Sequence, residues 1–466
     1  MLFNSVQYFL FFALVLLLFY NSRGTARKWI LLVASYSFYA AWNWKFVPLL
    51  LTLTAIDYIA ANYMNRVRPE RKLLFLLMSV AANLGFLAFF KYYNFFASNV
   101  AALFGLPGTA FALGVILPLG ISFHTLQSIS YVVDVYRGDQ EPIRSPLDYA
   151  LFIAFFPQLV AGPIVRARTF FRDLYNWRPP SSEDRSAAVL LIALGLVKKM
   201  AFADHLAVVS DAYFNHLGSQ AGVLTAWSAS ICFALQIYFD FSGYTDIAIG
   251  SAKLLGFHFP VNFNRPFLSA SITELCRRWH ISLSTWIRDY IYVPLASGRR
   301  GDRAIYRNLI ITMTLAGLWH GASWNFVLWG AYNGVLLSVE RMWRVRRRRK
   351  RAGTVVVDLH ALQVVCTFLV FSMGAPFFRL ASFTDAVHVL KAMFAGPPGT
   401  VLLNPWQIGL LLVSLGAAWA EERYNWFDRI SKGPEWAYAA GLAAMLLCLS
   451  LFAVTDNYVP FIYFQF

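Results

Sequence analysis

Apolar residues run in long stretches along this chain, and the charged residues gather in the short segments between them. The stretches 2–20, 29–40, 46–64, 73–96, 115–135, 187–209, 224–249, 305–318, 323–342, 355–373, 407–420 and 436–454 are candidate helical spans. Crossing the hydrocarbon core takes about 20 helical residues, or roughly 30 Å. The stretch 147–165 is apolar but broken by Pro157 and by Gly162-Pro163. It predicts a re-entrant segment, tolerable only where protein shields its backbone or where it lines a cavity. The first run lacks a basic n-region and a small-residue cleavage site, so it reads as a span and not as a cleaved signal.

Two adjacent stretches are unequal. The first, 305–318, gives only about 21 Å of helix, while 323–342 is long enough to cross. Joined at Trp319-His320-Gly321, they predict a hairpin whose tip falls short of the far surface and holds His320 inside the membrane. An ionisable group there is costly and usually faces a cavity. The alternative is a histidine hydrogen-bonded to a neighbouring helix. Upstream, Ile272, Leu275, Trp279, Leu283, Trp286, Ile287 and Tyr290 fall at helical spacing, opposite Glu274, Arg278, Thr285 and Arg288. This pattern predicts one interfacial or re-entrant helix over 272–290, with His280 on the edge of its apolar stripe.

Composition confirms the solvent. The chain is 58% hydrophobic and 14% charged, with a mean hydropathy of +0.53. Soluble domains carry about 25% charged residues, so this is an all-α polytopic membrane protein, read as one membrane domain over 1–466. The net charge of +16 is concentrated in loops, which suits membrane topology better than nucleic acid. If all the basic loops face the cytoplasm, both termini lie outside, and 147–165 must enter and leave by one side. The run from Arg344 to Arg351 reads as a topology anchor, or else as a contact for anionic lipid or a polyphosphate ligand. Cys232, Cys276, Cys366 and Cys448 lie singly, so neither a disulfide framework nor a zinc site is indicated.

The chemistry follows from the histidines and the cations near them. Histidine serves as a general base near neutral pH. A buried imidazole with a cationic mouth suits an anionic donor and a hydroxyl acceptor. Lys253, Arg265, Arg277, Arg278 and Arg288 are candidates to gather phosphates. Asp240, inside an apolar run, would orient a histidine or a bound group, or else pair with an arginine for packing. Gln158 and His124 are candidates to line the cavity.

The motifs at 277–286 (Arg-Arg-Trp-His-Ile-Ser-Leu-Ser-Thr-Trp), 289–295 (Asp-Tyr-Ile-Tyr-Val-Pro-Leu) and 318–325 (Leu-Trp-His-Gly-Ala-Ser-Trp-Asn) resemble the membrane-bound O-acyltransferase superfamily. The stretches 118–125, 156–164 and 236–246 resemble its bacterial branch that acetylates alginate and related exopolysaccharides. A neighbouring arm passes D-alanine to teichoic acid. The resemblance implies about a dozen transmembrane helices with re-entrant segments around a central tunnel, in the bacterial cytoplasmic (inner) membrane. It implies an O-acetyltransferase using cytoplasmic acetyl-CoA as donor, with no tightly bound cofactor. It further implies a periplasmic acetyltransferase or esterase-like partner protein and an exported polysaccharide acceptor. His320 matches the family's principal histidine and His280 the second, where other branches often carry asparagine. Trp319 belongs to the same motif. The competing reading is a transporter or export scaffold without chemistry, for which inverted repeats would speak; none is apparent.

The extracytoplasmic tail 460–466 is rich in aromatic residues. Six residues extend about 20 Å, enough to dip back toward a buried histidine. Such residues serve as interfacial anchors. The resemblance adds acyl handover, with Tyr463 activated by His320.

Overall fold

The computed structural model describes residues 3–217, 222–298, 301–350, 359–454 and 460–462, with 347–350 by backbone alone. Among these the secondary structure is helical, with no strand. Among the described residues each predicted span overlaps helix, the one over 115–135 only from Ile121 onward, and 355–358 lie outside the described residues. Among the described residues, six helical stretches are long and apolar enough to cross a membrane: Thr25–Met64, Pro69–Leu103, Ser182–Phe214, Val223–Leu254, His360–Arg379 and Glu435–Phe452.

The chain forms two compact units. One comprises Met1–Ile192 with Tyr244–Pro260, the other Ala193–Gly243 with Val261–Phe466.

In the first unit, the predicted re-entrant segment is helix Pro146–Ala154, a break at Phe155, a single turn Phe156–Leu159 and then non-helical chain. Proline has no N–H to donate to the preceding turn, and the break falls two residues before Pro157, which stands among the first positions of the short turn. The freed backbone groups find side-chain partners. Ser35 Oγ accepts from the Phe156 N–H at 3.1 Å, and the Phe152 carbonyl accepts from Gln127 Nε2 at 2.7 Å and from Gln158 Nε2. Gln158 therefore braces the break. Lys253 lies in this unit too, paired with Asp184 at 2.5 Å.

In the second unit, helices Asp302–His320 and Trp324–Lys350 form the hairpin expected from sequence. The first arm is longer than the apolar run because the polar turn from Asp302 onward is helical as well. Glycine lets the arms touch. A Cβ on Gly317 would lie 2.2 Å from the Phe326 carbonyl oxygen, and one on Gly330 would lie 2.3 Å from the Met313 oxygen. This backbone contact fixes the register of the hairpin, and hence the place of His320 at its tip.

The helix expected over 272–290 is not continuous. Ser271 Oγ caps Ile272–Arg278 by accepting from the Glu274 N–H at 3.2 Å. The chain then turns extended at Trp279 and left-handed at His280, which has φ 43°, before Ile281–Ile287 resumes and runs into a π-helical turn at Arg288–Tyr292. Apolar spacing carries through the break, which is why periodicity alone misses it.

Candidate active site

The break is made by a neighbour from outside the motif. The backbone carbonyl of Asn262 accepts from the Ile281 N–H at 2.8 Å. Its side-chain Oδ1 faces the Ser282 N–H at 3.2 Å, Ser282 Oγ at 2.9 Å and His280 Nδ1 at 3.1 Å. A backbone N–H can only donate, so the atom facing it is the amide oxygen, and His280 Nδ1 must carry a proton. The neutral His280 ring then keeps its lone pair on Nε2. Asn262 thus caps the second half-helix and sets the tautomer of the histidine. Histidine is one of the few side chains enriched in the left-handed region, which costs other residues about 1–2 kcal/mol.

A line of aromatic contacts joins the two histidines. The His280 and Trp319 rings lie 6.3 Å apart, and those of Trp319 and His320 lie 4.9 Å apart. His320 is edge-on to Trp329 at 5.3 Å and to Phe378 at 5.4 Å. It lines an apolar cavity of about 30 Å³ together with Phe233, Ile237, Trp279, Trp329 and Phe378. That is room for one or two waters. His320 is therefore on a cavity wall and not in solid packing.

On the other side of His280, its ring meets Phe241 edge-on at 4.7 Å, and Phe241 in turn meets Phe461 of the C-terminal tail at 5.9 Å. Ile462 is buried in the same apolar cluster as Phe233, Ile237, Phe326 and Phe378. Asp240 Oδ2 accepts from the Ile462 N–H at 2.7 Å. Its other oxygen lies 2.9 Å from Lys199 Nζ, which also pairs with Asp204 at 2.8 Å. Asp240 is thus held by a lysine and not by an arginine. Tyr463 lies outside the described residues.

The cations fare differently from one another. Arg278 pairs with Glu274 at 2.8 Å and takes Glu422 in a bidentate grip at 3.1 and 3.2 Å. Arg265 also pairs with Glu422, at 2.9 Å, and Arg288 with Asp289 at 2.7 Å. Beyond the apolar stretch 407–420, Glu422 is held below the usual carboxylate range, chiefly by its hydrogen bond from Arg278. Arg277 is exposed. Arg344, at the head of the basic run, pairs with Glu340.

Sequence reasoning missed Asn262, Lys199 and Asp204. The last two did leave a signal, because ionisable residues within an apolar span mark function by default. Asn262 left none, since nothing in one sequence links it to a motif 18 residues away.

A family model described as the membrane-bound O-acyltransferase family matches residues 143–384. The chain is 40% identical over 400 residues to the "Probable alginate O-acetylase AlgI" of Azotobacter vinelandii, covering 84% of this chain and 77% of the relative. It is 35% identical over 395 residues to the "Peptidoglycan O-acetyltransferase" of Helicobacter pylori, covering 79% and 73%. To the "Teichoic acid D-alanyltransferase" of Streptococcus thermophilus it is 28% identical over 254 residues, covering 50% and 60%. The matched region contains both histidines, the hairpin and the Asn262 cap, and the chain belongs to the membrane-bound O-acyltransferase family.

Proposed function

We propose that this acyltransferase moves acetyl from cytoplasmic acetyl-CoA across the bacterial inner membrane for O-acetylation of an exported polysaccharide. Alginate is the first candidate, with peptidoglycan or cellulose as alternatives, and both termini lie outside. The names of the alginate and peptidoglycan relatives support the acetyl donor group and the polymer class. The observation that carries the reading is the placement of His320. It stands at a glycine-pinned hairpin tip, on a cavity wall, in the aromatic cluster that also takes up the C-terminal tail.

In the first step, neutral His320 removes the proton of an acceptor hydroxyl, with Tyr463 as our choice. The phenolate attacks the thioester carbonyl. The C–S bond breaks, and the departing CoA thiolate takes the proton back from the imidazolium, leaving an acetyl ester and free CoA. A tyrosine hydroxyl, with a pKa of about 10, needs such a base near neutral pH. A periplasmic partner with its own serine nucleophile then accepts the acetyl group and passes it to the sugar. At the cytoplasmic mouth, Arg277 is an exposed cation suited to the phosphates of CoA. Lys253 and Arg278 would have to share theirs with Asp184, Glu274 and Glu422.

The test is the purified protein in nanodiscs with labelled acetyl-CoA, followed by peptide mass spectrometry. Acetyl on Tyr463 under turnover is the expected result. No acetyl on Tyr463, together with full activity of Tyr463→Phe, would exclude the tyrosine as carrier.

A further inference from the structure

The chemistry of the second unit includes a buried charge cluster that the steps above do not use. Lys199, Asp204 and Asp240 are all buried, and they lie on helical stretches long and apolar enough to cross a membrane. Burying three ionisable groups is costly unless each is paired and hydrogen-bonded, and replacing such a cluster by apolar residues is often neutral or stabilising. Lys199 and Asp204 already neutralise one another. Asp240 brings a further carboxylate, and that carboxylate faces the tail.

At the described end of the chain Ile462 is buried, and a buried backbone N–H needs an acceptor. Adjacent residues of one turn serve Val454 and Ile462. The helix Ser182–Leu196 continues through a π-helical turn, Val197–Ala203, before Asp204–Phe214. Such turns shift the carbonyl pattern and recur at functional sites. The Met200 carbonyl in this turn accepts from the Val454 N–H at 3.1 Å, where the last helix has just ended. Lys199, from the same turn, holds the carboxylate that accepts from the Ile462 N–H at 2.7 Å. Phe461 packs on Phe241, the residue after Asp240, which itself touches the His280 ring.

We propose that the Lys199–Asp240 pair is a docking site for the chain's own C-terminal segment, clamping Ile462 beside the two histidines. Asp240 is then a positioning residue for acyl transfer, not a ligand for the donor. The claim rests on the reading that the tail receives the acyl group, but its test does not need that reading.

Carboxypeptidase digestion of the full-length protein in detergent, followed by intact mass, reads the clamp directly. In the wild type, removal stalls before Ile462 is lost. In Asp240→Leu it proceeds past Ile462 at least about fivefold faster, the scale set by one hydrogen bond to a charged group. If that variant does not fold, Asp240→Asn takes its place. It keeps an acceptor but loses the ion pair, and it too should be trimmed faster than wild type. Asp428→Asn, on an exposed pair with Lys432, should digest like wild type. Identical end-points in wild type and in the folded Asp240 variant would overturn the clamp. Tyr463→Phe keeps the wild-type end-point whether or not it transfers acetyl, so its activity judges the tyrosine and its digestion judges the clamp.

Discussion

Asn262 Oδ1 lies 3.1 Å from His280 Nδ1, and through this contact a residue outside every histidine motif decides which nitrogen of His280 is basic. The same oxygen takes both donors of Ser282, so removing it unties the half-helix and the histidine together. Asn262→Leu should lower acetyl-CoA turnover by at least about tenfold and destabilise the fold by about 1–3 kcal/mol, as buried donors are left unsatisfied. Asn262→Asp keeps the acceptor and should retain most of the stability. Thermal unfolding and turnover, measured side by side, check this. Equal loss in both variants would show that the oxygen is not what matters.

The left-handed backbone at His280 gives a second expectation. Asparagine tolerates φ near 43°, whereas a β-branched residue does not. His280→Val should therefore be less stable than His280→Asn by about 1–2 kcal/mol. Turnover should fall in both by at least about a hundredfold, the lower end of the range for a lost proton-transfer group. A His280→Asn variant with full turnover would leave His280 only a brace for the cavity wall.

The hairpin depends on the contact between Gly317 and Gly330. Gly317→Ala places a methyl against backbone with no side chain to give way, and should destabilise by about 1–3 kcal/mol or displace His320. Gly409→Ala is the control, because a Cβ there meets nothing within 4 Å. Equal melting temperatures for the two variants would contradict the packing described.

Glu422 provides a pH dependence with a definite sign. Its carboxyl sits below its ordinary value of 4.5 in the fold, through Arg278 first and Arg265 next. A depressed carboxylate stabilises above the unfolded value and loses that contribution as pH falls through the folded one. The pair is part-exposed, so the effect stays below about 1 kcal/mol. Glu422→Gln should lower the melting temperature slightly at pH 7, and the gap to wild type should close below about pH 4.5. A gap that widens on acidification would contradict the assignment.

The helices were legible because apolar runs at membrane length leave little choice, and the hairpin was marked by two apolar runs joined at Trp319-His320-Gly321, although the first arm is longer than its apolar run. The break at His280 was not legible, since Leu275, Trp279, Leu283 and Trp286 keep helical spacing across it. Long-range pairing was hidden as well. Lys253 and Arg278 looked like free phosphate contacts, yet their carboxylates Asp184 and Glu422 stand 69 and 144 residues away in the chain. Asp240 was visible as a buried charge, but Lys199 as its partner and Ile462 as its guest required three dimensions.

His320 carries the central claim, and its removal is the most direct measurement. Purified wild type and His320→Ala, matched for melting temperature, are given labelled acetyl-CoA, and release or transfer of acetyl is counted. Loss of turnover by at least about a hundredfold is predicted, as for a general base removed from its site. A folded His320→Ala that still acetylates polymer, or a wild type that binds no acetyl-CoA, would contradict the account.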